Sequence, residues 1–317
     1  MRQHRVIAVV AGSLILAACA ATSSGESDAR RLPNVPRSAP TTTPSQTPTP
    51  TPPAELPRGG RTIFPEHRLV GFSGGRGESF GLLGIGDMDE RAAEIAKVAA
   101  AYTLDGRTPL PVFELIAVIA HGKPTDSGLY RTHEPAEVVE QYLAAARRHR
   151  GLLLLNVQPG RADFLDDVKA LERWLLEPDV GLALDPEWAV GPGQVPGEVI
   201  GTTTGGELDS VASYLSSLVL GNDLPEKVMV YHQFHTTTVV DEAELRPHPG
   251  VVLVKSVDGV GVPADKIATW NRLTADLAPH VYTGFKLFYD EDQRRGPLMT
   301  EAEVLALRPQ PSYVLYE

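Results

Sequence analysis

The sequence predicts an α/β fold in which eight parallel strands alternate with helices and close into a (β/α)8 TIM barrel. Eight apolar, β-rich runs follow one another along the chain, and an amphipathic helical pattern separates each pair of neighbours. Several runs, such as residues 152–155 and 228–231, are continuously apolar, as expected of strands that are covered on both faces. The segment that holds these runs, residues 62–317, has the length of one barrel domain.

The predicted elements alternate strictly in chain order. The strands are Arg68–Phe72, Val112–Ala120, Leu152–Val157, Val180–Asp185, Lys227–Gln233, Val251–Val257, Tyr282–Tyr289 and Ser312–Tyr316. The helices are Asp89–Tyr102, Glu134–Arg148, Ala162–Leu176, Glu207–Leu220, Asp241–Leu245, Pro263–Leu277 and Thr300–Leu307. Because the eighth strand is the last predicted element, we expect the eighth helix to be missing or to be replaced by the segment before Arg68.

A doubly wound open sheet is the alternative fold. A dinucleotide site in such a sheet needs a Gly-x-Gly-x-x-Gly turn between the first strand and the helix that follows it. The glycines within residues 71–77 have no helix start close behind them, and those at 84–86 have no suitable strand before them. The sequence therefore favours the barrel, and it gives no reason to expect a cofactor.

The N-terminus has the features of an export signal. Arg2 and Arg5 precede a short apolar run that ends in Leu16-Ala-Ala-Cys19, and the run is too short for a permanent membrane span. This ending resembles the lipobox of bacterial lipoproteins. We therefore expect residues 1–18 to be a signal peptide and Cys19, which is the only cysteine in the chain, to carry the lipid. An ordinary signal peptide with a chance cysteine is the alternative.

The segment that follows has a different composition. Residues 19–61 are rich in Pro, Thr and Ser, and residues 39–53 contain no large apolar side chain, so we expect a disordered linker between the anchor and the domain. The formal net charge of the whole chain is −11, and loss of the two arginines with the signal gives −11 − 2 = −13. Such an acidic domain is a poor partner for nucleic acid. The expected location is the outer face of the cell membrane, to which the acyl chains hold the protein.

In a barrel of this kind, catalytic groups lie at the carboxyl ends of the strands. The fourth predicted strand ends in Asp185-Pro186-Glu187-Trp188. Because side chains alternate along a strand, Asp185 and Glu187 should point to the same side, where their mutual repulsion should keep one of them protonated. We therefore predict Glu187 as general acid, Asp185 as its ionised partner, and Trp188 as a surface that stacks on a sugar ring. The alternative is that Asp185 caps the loop, Glu187 is solvated and Trp188 packs against a neighbouring helix.

Other strand ends supply further candidates. Gln158 and Arg161 could position substrate hydroxyls, and Asp258 or Asp290 could be a second carboxylate across the barrel mouth. Tyr289 is predicted to line the groove.

The roles of some residues near the barrel axis remain open. Tyr231 and His232 alternate, so at most one of them faces the barrel axis; Tyr231 is a candidate to stabilise an intermediate, with a core tyrosine as the alternative. A buried Lys286 would need a carboxylate partner, for which Glu114 is the candidate. The histidines at 121, 232 and 235 do not have the spacing of a metal site, and we expect none.

An Asp-x-Glu element at the end of strand four resembles the catalytic element of glycoside hydrolase families 18 and 25, the chitinase-like and muramidase barrels. This resemblance implies that Glu187 is the acid and that Asp185 assists it; the two further aspartates of the chitinase pattern fall here on Val180 and Ala183. Over nearly the whole domain, the chain is similar to uncharacterised actinobacterial lipoproteins with glycosidase-like barrels.

The predicted function is that of a glycoside hydrolase-like protein at the envelope, with a cell-wall polysaccharide such as peptidoglycan, or an extracellular polysaccharide, as substrate. A non-catalytic barrel that binds envelope glycan or a protein partner is the alternative. Convergence of Asp185 and Glu187 with another carboxylate on an open groove would favour the enzyme.

Overall fold

Eight parallel strands close into a barrel. A computed structural model describes residues 53–77, 81–103 and 106–317. The barrel strands are β1 (His67–Gly74), β2 (Thr108–Ala120), β4 (Leu152–Val157), β5 (Val180–Leu184), β7 (Lys227–Gln233), β9 (Val251–Val257), β10 (Val281–Leu287) and β11 (Tyr313–Tyr316). Each pairs in parallel with the next, and β1 pairs with both β2 and β11, so the sheet has no break. The predicted (β/α)8 TIM barrel is confirmed.

Helices connect most of the barrel strands. They are α1 (Met88–Ala100), α2 (Ala136–Arg148), α3 (Phe164–Ala170), α4 (Glu172–Leu175), α5 (Gly205–Gly221), α6 (Pro263–Thr274), α7 (Tyr289–Asp292) and α8 (Glu301–Ala306). Three short strands lie outside the barrel order: β3 (Arg131–His133) pairs antiparallel with β2, and β6 (Thr203–Thr204) pairs with β8 (Val239–Val240).

One predicted helix does not form. Between β7 and β9 the chain makes only a single 3-10 turn, Glu242–Glu244, instead of the helix expected over 241–245. Asp241, which precedes the turn, has a left-handed backbone with φ +50°, and this conformation is incompatible with a continuous α-helix.

Side chains alternate between two apolar layers. Leu153 and Leu155 pack outward in the large core beneath the helices, whereas Leu152 and Leu154 belong to a smaller cluster with Val230 that fills the barrel. At its amino end the barrel is covered by Leu56, Ile63 and Phe64, which are buried in the same interior cluster. The interior is therefore largely apolar toward the amino end, whereas the charged side chains of Asp258, Lys286 and Glu317 lie toward the other.

The predicted signal peptide (1–18), Cys19 and the greater part of the predicted linker (19–61) lie outside the described residues. The last residues of that linker pack on the domain: Leu56 is buried, and Arg61 donates to the Asp223 carboxylate at 2.7 Å and to the Ala54 carbonyl at 2.8 Å. Among the described residues, no helix is long and apolar enough to cross a bilayer.

Candidate active site

A cavity of about 660 Å³ opens at the carboxyl end of the barrel. It is lined by residues of four strands, β1, β2, β4 and β10, and by residues that follow the ends of β4, β5, β7, β9, β10 and β11. The polar lining side chains are Ser73, Asn156, Gln158, Asp185, Glu187, Asp258, Lys286 and Glu317. The larger apolar ones are Ile116, Trp188, Phe234, Val260 and Phe288.

Asp185 and Glu187 both line this cavity, but they reach it from a turn and not from an extended strand. β5 ends at Leu184, and Pro186 begins a 3-10 turn that contains Glu187 and Trp188. Proline fixes φ near the helical value and lacks the N–H that would continue the ladder, so the strand stops here. The predicted strand alternation is therefore wrong for Glu187, although both carboxyls border the same space.

The environment of this pair disfavours negative charge. Burial raises the pKa of Asp185 to about 6, although Gln158 donates to its Oδ2 at 3.3 Å and the cationic His232 and Lys286 oppose the shift. Burial, together with the nearby charge of Asp185, raises the pKa of Glu187 to about 8. Both shifts favour a protonated carboxyl in this pair, and the more strongly raised pKa is that of Glu187.

A second charged group lies deeper, and its centre is His232. The imidazole Nδ1 lies 2.7 Å from Asp258 Oδ2, and Nε2 lies 3.0 Å from Glu114 Oε1. Tyr313 and Asn156 also donate to Glu114, at 2.8 and 3.1 Å. Although burial opposes protonation, the two carboxylates raise the pKa of His232 well above its ordinary value, so the ring is an imidazolium.

Lys286 extends this group toward the cavity. Its Nζ lies 2.7 Å from Glu317 Oε2 and 3.7 Å from Asp258 Oδ2, so its nearest partners are these two residues and not Glu114 as expected. These carboxylates keep the pKa of the buried lysine well above its ordinary value. In turn, despite burial, His232 and Lys286 lower the pKa of Asp258, and Ser256 donates to its Oδ1 at 2.7 Å.

The cavity thus combines carboxyls in opposite states. Asp258 is held ionised by two cations, whereas Glu187 is held protonated by burial and by a neighbouring carboxylate. Environments that separate the pKa values of two nearby acids are how proteins assign acid and base roles. This arrangement can donate a proton at one point of the cavity and stabilise positive charge at another.

Four predicted site residues lie elsewhere. Tyr231 is fully buried outside the barrel, where its hydroxyl donates to Glu242, because the interior positions of β7 are 228, 230 and 232. Arg161 donates to the Gln194 carbonyl at 2.7 Å and covers the Tyr130 ring.

The other two follow β10, which ends at Leu287, earlier than predicted. Tyr289 begins α7 and stacks on Tyr316 at 5.3 Å, and Asp290 is exposed. Neither side chain lines the cavity.

The sequence did not predict a site role for Asn156, Tyr313 or Glu317, and it left open whether His232 faces the barrel axis. Their common orientation becomes visible only in the structure. Interior positions follow from the apolar cluster, and continuing their alternate spacing past Leu154, Val230 and Leu315 leads to Asn156, His232 and Glu317.

No common site brings together the histidines at 121, 232 and 235. His121 contacts Thr132 Oγ1 at 2.8 Å, His232 lies between its carboxylates, and His235 is exposed beside Thr237. Across the described ranges, no group of three or more His, Cys, Asp and Glu side chains is arranged to hold a metal ion.

The chain matches no protein-family model and no curated protein sequence.

Proposed function

We propose that this protein is a glycoside hydrolase, held at the envelope by its N-terminal lipid, that acts on cell-wall or extracellular polysaccharide. The observation that supports this proposal most directly is that one cavity is lined both by Glu187, whose carboxyl pKa is raised by burial and by Asp185, and by Asp258, whose pKa is lowered by two cationic neighbours despite its burial. Cleavage of a glycosidic bond uses two carboxyl groups in these two states.

In the proposed reaction, Glu187 gives its proton to the leaving oxygen as the bond to the anomeric carbon breaks. Asp258 supports the positive charge that develops on the sugar, and water supplies the hydroxyl that replaces the leaving group. The remaining proton of that water restores the Glu187 carboxyl. Gln158 orients Asp185, and the negative charge of Asp185 keeps the proton on Glu187.

Two features support a polar ligand with an apolar face. The buried Oδ1 of Asn156, a cavity-lining residue, has no hydrogen-bond partner among the described residues, so it can accept from a sugar hydroxyl. Trp188 and Phe234 line the same cavity and offer ring surfaces to the C–H face of a sugar.

The test is a screen of the mature chain against purified wall and extracellular polysaccharides, followed by Glu187→Gln. We expect this variant to lose about 10²–10⁴-fold in kcat on the cleaved glycan, because general acid catalysis contributes that much. Glu137→Gln, at an exposed position of α2, is the matched control and should retain full activity. Full activity of Glu187→Gln would refute the assignment.

A non-catalytic glycan-binding barrel is the second candidate. It is favoured by the fact that Glu114, His232, Asp258, Lys286 and Glu317 already satisfy one another inside the chain. It predicts that the wild-type chain binds a wall glycan without cleaving it and that Glu187→Gln binds the glycan equally well.

A further inference from the structure

A second, smaller cavity of about 210 Å³ adjoins the first. Glu187, Trp188 and Phe234 line both cavities, so the two cavities meet at these three side chains. Asp258 and Lys286 line only the larger one. A bond protonated by Glu187 therefore lies at the junction, with the charged sugar-binding groups on one side and the smaller cavity on the other.

The smaller cavity has predominantly apolar walls. Beyond the three shared residues it is formed by Gly197, Glu198, Val199 and Ile200. Glu187 and Glu198 are its only lining side chains, among the residues that the structure describes, with hydrogen-bonding oxygen atoms. A further sugar in this space would find few side-chain partners for its hydroxyls, so the walls match a compact apolar group better.

The walls of this cavity are held in place by the backbone. Gly201 N donates to Glu187 O at 2.7 Å and Thr202 N donates to Ala189 O at 2.9 Å, so the 197–202 segment is fastened to the turn that carries the acid. A Cβ on Gly197, where φ is +83°, would lie 3.7 Å from the Trp188 ring, so the chain passes close over the indole.

This fixed loop leaves apolar side chains in water. Ile200 is 58% exposed and Val199 is 38% exposed, and Val260, at the rim of the larger cavity, is 54% exposed. A single exposed apolar residue needs no explanation, but neighbouring ones that line a cavity, as Val199 and Ile200 do, favour a binding surface.

We propose that the smaller cavity binds the leaving group of the substrate, and that this group is compact and apolar, about the size of one aromatic ring. This inference rests on the proposed glycosidase function and narrows its substrate, because the bond cleaved then joins the wall or extracellular glycan to a compact apolar alcohol and not one sugar of the glycan to the next. The size follows from the volume, since a cavity of about 150 Å³ accommodates benzene. The ring lies against Trp188 and Phe234, and the oxygen that joins it to the sugar takes the Glu187 proton. The ring then departs as a free phenol-like alcohol, and water supplies the hydroxyl at the anomeric carbon of the sugar.

The test measures binding before turnover. The probe, 4-nitrophenol, is titrated into the mature chain, with calorimetry and quenching of tryptophan fluorescence as readouts. We expect Ile200→Asp to weaken binding at least tenfold, because it places a charge in the apolar wall. Leu220→Asp is the matched control, since Leu220 is 64% exposed on α5 and lines neither cavity. Absence of binding, or equal binding by all three proteins, would overturn the subsite.

Turnover then separates this inference from the proposed function. On a sugar that the enzyme accepts, Ile200→Asp should raise KM for the aryl glycoside at least tenfold and leave the methyl glycoside unchanged; equal effects on both would overturn the assignment to the leaving group. Much tighter binding of an octyl than of an aryl glycoside would overturn the size. If 4-nitrophenol binds at Ile200 but no glycoside is cleaved, the hydrolase proposal fails and the apolar site stands without its leaving-group role.

Discussion

Glu187 is a half-buried carboxyl whose pKa is raised to about 8, first by burial and second by the charge of Asp185. Its role as an acid requires the protonated form, so activity should fall as the pH rises through this value. The contribution of the Asp185 charge to this pKa can be removed by substitution. Replacement of Asp185 by Asn keeps an acceptor for Gln158 and deletes the charge.

We therefore expect Asp185→Asn to lower the pKa of Glu187 toward its ordinary value. The measurement is the pH titration of the Glu187 side-chain carbon by NMR with labelled glutamate, assigned through Glu187→Gln. Asp290→Asn, at an exposed position outside the cavity, is the control and should leave the titration at about 8. An unchanged titration in Asp185→Asn would show that the two carboxyls are not coupled.

His232 determines the state of two further carboxyls. With the ring removed, Glu114 and Asp258 remain buried without the cation between them, a loss that typically costs about 3–5 kcal/mol of unfolding free energy. We expect this loss in His232→Gln, measured by urea denaturation at pH 6. The control is His235→Gln, which changes an exposed histidine three residues away and should give the same denaturation curve as the wild type. Coincident curves for the two variants would show that His232 does not stabilise the buried carboxylates.

The same residue sets a pH dependence of stability. The pKa of His232 is raised on folding, so its contribution is fully present below the unfolded value of about 6.5 and is lost as the pH rises through the higher folded value. The difference in unfolding free energy between the wild type and His232→Gln should therefore shrink from neutral toward alkaline pH. A difference that grows with pH would show that the ring is neutral in the folded protein.

At the scale of elements, the turn after β5 depends on the loop that crosses it. A Cβ on Gly201 would lie 2.4 Å from Ala189 O and 2.7 Å from Glu187 O, and these backbone atoms cannot move without displacing the turn. We expect Gly201→Ala to destabilise the fold by about 1–3 kcal/mol, the usual range for overpacking, and to weaken binding of 4-nitrophenol.

Gly221→Ala is the matched control for this substitution. Gly221 ends α5 and has no neighbour within 4 Å of the added atom, so its replacement should leave stability unchanged or slightly improved and should not affect binding. The measurements are chemical denaturation and calorimetry on the same three proteins. Equal behaviour of Gly201→Ala and Gly221→Ala would show that the loop does not position the turn.

At the scale of the whole molecule, the N-terminal prediction is independent of the barrel. If Cys19 carries the lipid, Cys19→Ser should move the protein from the membrane fraction to the soluble fraction and abolish incorporation of labelled palmitate. Ser24→Ala, a small change in the same segment, is the control and should behave as the wild type does. Palmitate incorporation by Cys19→Ser would place the lipid on another residue.

The sequence determined the barrel because the spacing of its apolar residues is a local property. Runs such as 152–157 and 251–257 are strands in the structure with the predicted bounds, since a strand buried on both faces must be continuously apolar. The position of the candidate site followed from the same reasoning, because strand ends in a barrel meet at one rim; Asp185, Glu187, Trp188, Gln158 and Asp258 do line one cavity.

Only the tertiary structure decided which polar residues share that cavity and in what charge state. Whether Tyr231 or His232 faces inward depends on the register of β7 against its neighbours, and the partners of Lys286 lie 28 and 31 residues away along the chain. Protonation of Glu187 likewise depends on burial and on charges brought together by closure of the barrel, which no local pattern encodes.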